Sequence, residues 1–478
     1  MDELKKIQSG IENLDEILGG GIPDFSVNII TGPPGSGKTI LTQQIMFNNA
    51  TEDGKSLCFT TISEPALKMM RYQQHFDYFD VDKIGKSVIF IDIGEIFRQK
   101  GLMKSMETIV EYVEKNMPKV IVIDSFKALH ELAETPHEVR EFGYELAVNL
   151  TTWQAISFLV GEYTEDEMVK EPVFAVADGV FKLYTEKQGM QDVRFINISK
   201  MRGVNYFRGD HPFTISNAGI KIYPRIKTPL YPPRYEVTKE RISTGVKEID
   251  KMMGGGLPKG TSTLVAGGAG TGKTLLGLHF ITEGIEQGEP GVIVSFQESP
   301  SQLYEIASGF GWNLEKMERE GKVKLLYTSP VELSVDEHTA HIKDVVAQIQ
   351  AKRVVIDSLM DLEIATPNKV RYKDYVYSVV NFFKSNGITS LLTNEITELF
   401  DPLKITEYGI SFIADNVVLL RYVELESHVS RALAILKARG IEHDKYIREF
   451  KITSKGLEIL SPFTEYGGIL SGMPVRQS

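Results

Sequence analysis

Apolar runs and amphipathic stretches alternate along this chain of 478 residues, and the whole alternation occurs twice. Residues 119–124 form a continuous apolar run, and residues 353–357 form its counterpart. Such runs are typical of strands buried on both faces, as in parallel sheets covered by helices. Further apolar runs follow at 155–160 and 389–393, the latter after a helical stretch that includes 375–384. The pattern predicts an α/β fold with a mostly parallel sheet flanked by helices, present in two copies.

Each copy contains a glycine-rich loop between an apolar strand and a helical stretch. Residues 32–39 read GPPGSGKT and residues 267–274 read GGAGTGKT, so both fit G-x-x-x-x-G-K-[ST]. In such a loop the backbone N–H groups cradle phosphates, the lysine neutralises β/γ charge, and the threonine hydroxyl ligates Mg²⁺. The predicted phosphate-binding residues are Gly32, Pro34, Gly35, Ser36, Gly37, Lys38 and Thr39 in the first copy, and Gly267, Ala269, Gly270, Thr271, Gly272, Lys273 and Thr274 in the second.

The two copies are related by a single offset in sequence. A shift of 235 residues (273 − 38) relates Lys38 to Lys273 and also Asp15 to Asp250. This period is far too long for a solenoid repeat, so it indicates a duplicated domain. A proline-rich stretch between the copies suits a semi-rigid linker. The predicted organisation is a first domain at 1–225, a linker at 226–240, a second domain at 241–460 and a tail at 461–478.

Composition narrows the class of protein. Hydrophobic residues make up 42% and charged residues 24% of the chain, as in ordinary globular proteins. The net charge of −11 argues against a dedicated nucleic-acid binder. The single cysteine, Cys58, lies in a strand-like run and is expected to be buried. With no apolar signal core at the start and no apolar run near the ~20 residues that span a bilayer, we expect a cytoplasmic protein without a membrane partner.

Two aspartates are the candidate metal-binding carboxylates. Asp124 and Asp357 each end an apolar run and precede a serine. In phosphate-loop enzymes this is where a carboxylate holds the hydration shell of Mg²⁺. A helix N-cap is the alternative role for such a residue. Because a phosphate loop lies at a similar distance upstream in both copies, the metal role is favoured, shared with Thr39 and Thr274.

Glutamates end another strand of each copy. Glu64 and Glu298 occupy matched positions between the loop and the aspartate, where a carboxylate can orient a water or hydroxyl for attack on the γ-phosphate. At the following strand end, Glu162 in the first copy and the Thr393–Asn394 pair in the second are candidates for sensing that phosphate.

Taken together, these features resemble the KaiC family of RecA-like circadian clock ATPases. The resemblance rests on the doubled phosphate-loop domain, the SG-x₃-LD opening with its GGG triplet, and two K-x-R-G motifs, and it covers nearly the whole chain. It implies tandem RecA-like domains, ATP at the subunit interfaces of a stacked homohexameric double ring, and both ATP hydrolase and serine/threonine autokinase activity. A KaiB-like partner is also implied.

Several site residues follow from this resemblance. In the family, cations from the neighbouring chain reach the γ-phosphate, and the segment that matches 212–217 meets the nucleotide from across the interface. The matching residues here are Lys200, Arg202, Lys437 and Arg439, with Arg431 as a further phosphate contact and Ser216 and Asn217 in the segment. An arginine supplied in this way stabilises charge in the transition state.

The resemblance also places the phosphoacceptors. Ser411 matches the serine that the family phosphorylates, whereas Phe412 replaces the adjacent threonine. Thr406 matches a nearby hydroxyl that interacts with the phosphorylated pair. A serine that is merely packed near an interface is the alternative for Ser411.

Two departures from the family pattern limit what is carried over. Ser63 and Gln297 stand where the family has the first of two adjacent catalytic glutamates. A glutamine can position an attacking oxygen but cannot accept its proton, so this departure bears on kinase activity more than on ATP binding. The sequence also stops at Ser478, short of the family's activator-binding extension, and we therefore expect no KaiA-type activator.

Two other functions stay open at this point. A RecA-like motor that acts on nucleic acid would need basic mobile loops, which the acidic balance opposes. A scaffold that ATP binding assembles, with negligible turnover, is compatible with the missing glutamates.

Overall fold

Two nine-stranded sheets form the framework of the protein, one in each half of the chain. This computed structural model describes residues 4–61, 66–131, 135–188, 191–225, 239–329, 334–366, 368–396, 413–469 and 475–476. The chain divides into two units, Met1–Arg225 and Ile226–Ser478. The sheets and their flanking helices confirm the predicted α/β fold of two tandem RecA-like domains. The boundaries of the linker and of the tail stay predictions.

The strands and helices of the first unit alternate through its parallel part, and its last strands follow one another without helices. Its strands are β1 (Lys6–Ile7), β2 (Ile22–Pro23), β3 (Val27–Thr31), β4 (Ser56–Thr60), β5 (Val88–Asp92), β6 (Val120–Asp124), β7 (Ile156–Gly161), β8 (Gly179–Gln188), β9 (Gln191–Met201), β10 (Asp210–Ser216) and β11 (Gly219–Ile222). Its helices are α1 (Leu14–Ile17), α2 (Lys38–Asn49), α3 (Ala66–Gln73), α4 (Gly94–Lys100), α5 (Leu102–Asn116), α6 (Phe126–Glu131), α7 (Pro136–Thr152), α8 (Glu165–Lys170) and α9 (Pro172–Val176), with a short 3₁₀ turn at Val81–Lys83.

The sheet of the first unit has the strand order β11-β10-β9-β8-β3-β7-β6-β4-β5. Pairing is parallel from β8 through β3 to β5 and antiparallel from β8 to β11. Buried side chains cover both faces, because adjacent strand residues point to opposite sides. Ile30 and Cys58 pack in the cluster that includes Leu41 of α2, whereas Ile29 belongs to the cluster on the other face with Ile109 of α5. Cys58 is a buried free thiol, as predicted.

The second unit repeats this arrangement. Its strands are β12 (Arg241–Ile242), β13 (Leu257–Pro258), β14 (Ser262–Gly267), β15 (Gly291–Ser295), β16 (Val323–Tyr327), β17 (Arg353–Asp357), β18 (Thr389–Glu395), β19 (Asn416–Leu425), β20 (His428–Ala438), β21 (Arg448–Thr453), β22 (Gly456–Pro462), β23 (Tyr466–Gly467) and β24 (Val475–Arg476). Its helices are α10 (Lys247–Met252), α11 (Lys273–Glu286), α12 (Pro300–Gly309), α13 (Leu314–Arg319), α14 (Val335–Gln348), α15 (Leu359–Ala365) and α16 (Lys369–Ser385).

Its nine-stranded sheet has the equivalent order β16-β15-β17-β18-β14-β19-β20-β21-β22. The strands from β16 to β19 pair in parallel, and β19 to β22 pair antiparallel. Val265 packs with Leu276 of α11 on one face, and Leu264 packs with Val379 of α16 on the other. Among the described helices, none combines the length and the apolar character needed to cross a membrane.

The parallel strands bring the candidate site residues to one edge of each sheet. The phosphate loops leave the carboxyl ends of β3 and β14, and the strands that end at Asp124 and Asp357 lie one strand further along each sheet. The neighbouring strands β7 and β18 end beside Glu162 and at Glu395. In open α/β sheets ligands bind outside the carboxyl ends of the strands, so the fold places one candidate site on each sheet.

His338 is a titratable side chain inside the core of the second unit. It lies on α14 with 3% of its surface exposed, and its Nδ1 is 3.4 Å from the Tyr375 hydroxyl. Burial, with a smaller contribution from His341, lowers the pKa of His338 to about 4 from an ordinary value of 6.5. The imidazole is therefore neutral in the folded protein at pH values where the unfolded chain protonates it.

We expect this histidine to make the second unit sensitive to acid. Between pH 6.5 and pH 4 the unfolded chain binds a proton that the folded chain does not, so the free energy of unfolding falls as the pH falls. The loss from this group is about 2 kcal/mol at pH 5. Urea unfolding followed by Trp312 fluorescence, in a Trp153→Phe background, measures it. His338→Phe should lose about 2 kcal/mol less than the parent between pH 7 and pH 5, whereas the exposed-site control His428→Phe should behave like the parent. Equal losses in both variants would contradict the assignment.

Candidate nucleotide-binding sites

The two phosphate loops have the same backbone geometry. Gly37 and Gly272 precede α2 and α11 with φ of 100° and 103°, a left-handed conformation that favours glycine. A Cβ on Gly32 would lie 1.9 Å from the Leu183 carbonyl oxygen, and the equivalent atom on Gly267 would lie 2.4 Å from a strand carbonyl. Each loop therefore passes close to its neighbouring strand and leads into a helix. The first N–H groups of that helix face the space beyond the carboxyl ends of the strands. The loop residues of both motifs lie in the turn between strand and helix, namely Pro34, Gly35 and Ser36, and Ala269, Gly270 and Thr271.

The lysine of each loop folds back onto the loop itself. Lys38 Nζ donates to the carbonyl oxygen of Gly32 at 2.8 Å and lies 3.6 Å from Glu162 Oε1. Lys273 Nζ donates to the Gly268 carbonyl oxygen at 2.9 Å and lies 3.8 Å from Glu395 Oε2. Burial lowers the pKa of both lysines, and the facing glutamates oppose that shift. Each ammonium group is thus held at the loop by carbonyl oxygens and one carboxylate, where the phosphates of a bound nucleotide would meet it.

A threonine and an aspartate meet below each loop. Thr39 Oγ1 donates to Asp124 Oδ2 at 2.7 Å, and Thr274 Oγ1 donates to Asp357 Oδ2 at 2.6 Å. Thr393, two residues before the end of β18, also donates its hydroxyl hydrogen to Asp357 Oδ1. The same hydroxyl–carboxylate pair therefore stands at the carboxyl edge of both sheets.

This donor set suits Mg²⁺ bound together with a nucleotide. In the described part of the chain, His, Cys, Asp and Glu do not gather in groups of three that would form an all-protein metal site. Mg²⁺ in phosphate-loop proteins needs no such cage, because it keeps several waters and takes the rest of its ligands from phosphate, a loop hydroxyl and a nearby carboxylate. The Thr39–Asp124 and Thr274–Asp357 pairs supply the protein part of that set.

The second site also has a defined carboxylate environment. Glu298 is half-buried, directly before Ser299, whose side chain caps the start of α12. Burial and then the negative charge of Asp357 raise the pKa of Glu298. Gln297 Nε2 donates to Asp361 Oδ1 at 2.9 Å. The predicted residues Ser63 and Glu64 of the first site, and Ser411 and Thr406 of the second, lie outside the described residues.

Comparison with known proteins agrees with this duplicated geometry. A family model described as "ATPase: KaiC" matches residues 7–227 and again residues 242–463. The chain belongs to the KaiC ATPase family. The circadian clock oscillator protein KaiC of Thermostichus vulcanus is 33% identical over 100% of this chain and 93% of its own length, and the protein of that name from Thermosynechococcus vestitus shows the same values. The Picosynechococcus protein of the same name is 33% identical over 99% of this chain and 93% of its own length. Membership in the KaiC family identifies the chain as a nucleotide-binding ATPase.

The first pair of KaiC-type cations lies at the sheet edge opposite to the phosphate loop. Lys200 and Arg202 flank Met201, which pairs with Gly179, and Gly179 pairs with Asn28 near the amino end of β3. The loop leaves the other end of that strand, roughly 10 Å away along the strand alone. Lys200 and Arg202 therefore lie away from the loop of their own unit.

Local contacts hold these cations at that edge. Lys200 Nζ donates to the carbonyl oxygens of Phe174 and Ala175 at 3.1 and 3.3 Å. Arg202 Nη1 is 3.4 Å from Asp178 Oδ1, and the arginine side chain is more than half exposed. The two side chains are thus anchored at the base of the α9–β8 connection with one charged end open to solvent.

The second pair has the same placement. Lys437 and Arg439 flank Ala438, which pairs with Asn416 at the amino end of β19. Arg439 Nη1 is 3.7 Å from Asp415 Oδ1 and is more than half exposed. In each unit, therefore, the KaiC-type cations lie at the amino-end edge of the sheet and the phosphate loop lies at the carboxyl-end edge.

Arg431, Ser216 and Asn217 lie on the loop side of their units. Arg431 stacks on the Tyr422 ring with its guanidinium carbon 5.3 Å from the ring centre, and the Tyr422 hydroxyl is 3.0 Å from where a Cβ on Gly270 would stand. Ser216 and Asn217 are at the tip of the β10–β11 hairpin. The preceding residue, Ile215, has its Cδ1 3.1 Å from the corresponding position on Gly37. This hairpin, expected from across an interface, thus packs beside the loop of its own unit.

Two acidic residues of the second site were not predicted from the sequence. Glu395 lies 3.8 Å from Lys273. The offset that relates Asp124 to Asp357 also relates Glu162 to Glu395, so alignment of the two copies could have identified Glu395. Asp361 has no such signal, because Ala128 stands at the matching place in the first copy. Its contact with Gln297 is visible only in the folded chain.

Proposed function

We propose that this KaiC-family ATPase binds Mg-ATP at both loops, assembles into a homohexameric ring and transfers phosphate to Ser411 in its second unit. The observation that carries the proposal is the repeat of one arrangement, loop lysine, threonine and strand-end aspartate, in both units. The relatives are named circadian clock oscillator proteins. We infer a clock-like or signalling switch as the role of the chain.

In this proposal each loop binds the phosphates of ATP. The backbone N–H groups at the start of α2 and α11 face the phosphates, and Lys38 and Lys273 exchange their carbonyl partners for phosphate oxygens. The hydroxyls of Thr39 and Thr274, with Asp124 and Asp357, hold Mg²⁺. The ion neutralises charge that develops on the phosphate oxygens during transfer.

The position of the cations supports assembly. Lys437 and Arg439 are at the edge opposite to the loop of their own unit, so they do not complete the site of that unit, and we infer that they complete a site on another chain. A surface that offers cations and a different surface that receives them form a heterologous contact, and such contacts close into a ring when the rotation from one chain to the next closes. The number of six chains is taken from the family resemblance.

For attack on the γ-phosphate we assign Glu298 as the proton acceptor and Gln297 as the residue that orients the attacking oxygen. A carboxylate with a raised pKa is a stronger base than an exposed one, and Glu298 has this property. In the first unit Glu64, with Ser63 before it, has the corresponding role. Ser411 is the proposed acceptor, and Thr406 interacts with its phosphorylated form.

The remaining assignments rest on the family. We propose domains at 1–225 and 241–460 joined by the linker 226–240, a cytoplasmic location and a KaiB-like partner. The second candidate function is an ATP-assembled scaffold with negligible turnover, which the serine and glutamine at positions 63 and 297 favour. Stimulation of hydrolysis by DNA would instead favour a nucleic-acid motor.

Assembly is tested by size-exclusion chromatography with and without Mg-ATP. We expect a ring of six chains with nucleotide and smaller species without it, because the phosphates and Mg²⁺ join the loop of one chain to the cations of the next. A chain that stays single and does not retain ATP in the presence of Mg²⁺ would contradict the proposal.

Phosphotransfer is tested by intact-mass spectrometry after incubation with ATP. The parent protein should gain one phosphoryl group, and Ser411→Ala should gain none. Ser385→Ala, which removes a hydroxyl from the end of α16, is the control and should behave like the parent. A phosphoryl group that persists unchanged on Ser411→Ala would show that the acceptor is a different residue. If the parent protein gains no phosphoryl group, it is not an autokinase, and its rate of ATP hydrolysis then distinguishes an ATPase from a scaffold with negligible turnover.

A further inference from the structure

Asp361 is a buried carboxylate next to the second nucleotide site. It lies in the first turn of α15, directly after Asp357 and Ser358, and 5% of its surface is exposed. Its two oxygens have different partners. Oδ1 accepts from Gln297 Nε2 at 2.9 Å, and Oδ2 accepts from Ser358 Oγ at 2.6 Å.

This contact determines which way the Gln297 amide faces. An ionised carboxylate only accepts hydrogen bonds, so it binds the NH₂ end of an amide and not the oxygen end. With Nε2 on Asp361, the Oε1 atom of Gln297 is the end that remains for another partner. An amide oxygen can accept the O–H of an attacking water or serine hydroxyl, whereas the NH₂ group in its place could only donate.

The pair of residues occurs in only one of the two copies. In the second copy the strand-end aspartate is followed four residues later by Asp361, and in the first copy Ala128 has that place. Ser63 likewise stands where the second copy has Gln297. Ser125 Oγ, the counterpart of the Ser358 hydroxyl, accepts from the backbone N–H of Ala128 at 3.4 Å. The first unit therefore lacks both members of the pair.

We propose that Asp361 is a positioning residue that fixes Gln297 with its oxygen toward the attacking group, and that the second site is for this reason the faster of the two. The inference rests on the function proposed above. In the step, a bond forms between the attacking oxygen and the γ-phosphorus as the bond from that phosphorus to the oxygen of ADP breaks. The proton of the attacking group passes to Glu298, since an amide cannot accept it.

The test uses the full-length chain and steady-state ATP turnover. The share of turnover that Lys273→Ala abolishes belongs to the second site. Asp361→Ala should lower that share roughly 10- to 100-fold, the size of effect expected when an attacking group loses its alignment, with KM for ATP changed less than about twofold. The exposed aspartate of α16 provides the control, and Asp374→Ala should leave turnover unchanged.

A double-mutant cycle separates positioning from a purely structural role. Gln297→Ala and Asp361→Ala should each lower turnover at the second site by the same factor. The double variant should lower it no further, because both changes remove the same hydrogen-bonded pair. Gln297→Glu alone should be slow, because it sets two carboxylates against each other. Adding Asp361→Asn should restore the rate, since its amide can donate to the new carboxylate.

Each outcome decides the inference. Additive losses, a melting temperature lowered only in Asp361→Ala, or no rescue by the Gln297→Glu/Asp361→Asn pair would overturn the positioning role while leaving the ATPase function intact. If Lys273→Ala removes no turnover, the second site is not an ATPase site and the proposed function fails first.

Discussion

Replacement of Arg439 by alanine will lower ATP turnover at the second site by about three orders of magnitude. The guanidinium group stands at the amino edge of the sheet, beside Asp415 and more than half exposed, where it cannot reach the loop that follows β14. In the proposed ring it acts instead on a nucleotide held by another chain, where an arginine would stabilise the charge on the transferred phosphoryl group. The measurement is the turnover that Lys273→Ala abolishes. Arg319→Ala, on the exposed face of α13, is the matched control and should retain full activity.

Mixing two variants that are each inactive at the second site tests whether Arg439 acts between chains. Arg439→Ala chains keep an intact loop, and Lys273→Ala chains keep an intact arginine. In mixed rings about a quarter of the interfaces combine the two intact halves at equal amounts, so turnover at the second site should return to about a quarter of its parent value, as for a heterologous contact. A mixture that stays inactive would place the arginine in the same chain as the loop it serves.

Replacement of Glu298 by glutamine will lower turnover at the second site by roughly 10²- to 10⁴-fold. The variant keeps the shape of the side chain and its place before the Ser299 cap of α12, but it removes the carboxylate that we propose as the proton acceptor. ATP affinity should stay within about threefold of the parent, because the loop, Thr274 and Asp357 are unchanged. Rapid-quench kinetics with labelled ATP separates binding from chemistry.

The matched control for Glu298 is another glutamate close to it in sequence. Glu305 lies on α12 with its side chain exposed, and Glu305→Gln should leave both binding and turnover unchanged. Loss of ATP binding in Glu298→Gln would indicate that this glutamate supports the site structurally. Unchanged turnover would transfer the role of base to a different group.

The architecture of each unit was predictable because its signals are local. Continuous apolar runs, such as residues 119–124, are typical of a strand covered on both faces. The strands β6 and β17 are buried in this way. The phosphate loops are contiguous motifs, so their strand–loop–helix context is recognisable from the order of residues alone. The Thr39–Asp124 contact needed one further step, the rule that parallel strands end at one edge.

Other parts of the site could not be predicted from local signals. The ion pair between Lys273 and Glu395 forms because β18 lies beside β14. Strand order of this kind is set by tertiary packing. The contact between Gln297 and Asp361 joins residues 64 positions apart. No local pattern distinguishes Asp361 from an ordinary polar residue in the first turn of a helix.

The sequence by itself determined that the chain carries two phosphate loops, each with a lysine, a threonine and a strand-end aspartate, because these features are contiguous or end a single strand. Only the tertiary structure decided which edge of the sheet each cation occupies. The register of β19 against β20 places Lys437 and Arg439 opposite to the loop, and register is set by pairing and side-chain packing across the sheet. The same holds for the orientation of Gln297, which depends on a carboxylate of α15, the helix that follows the neighbouring strand β17.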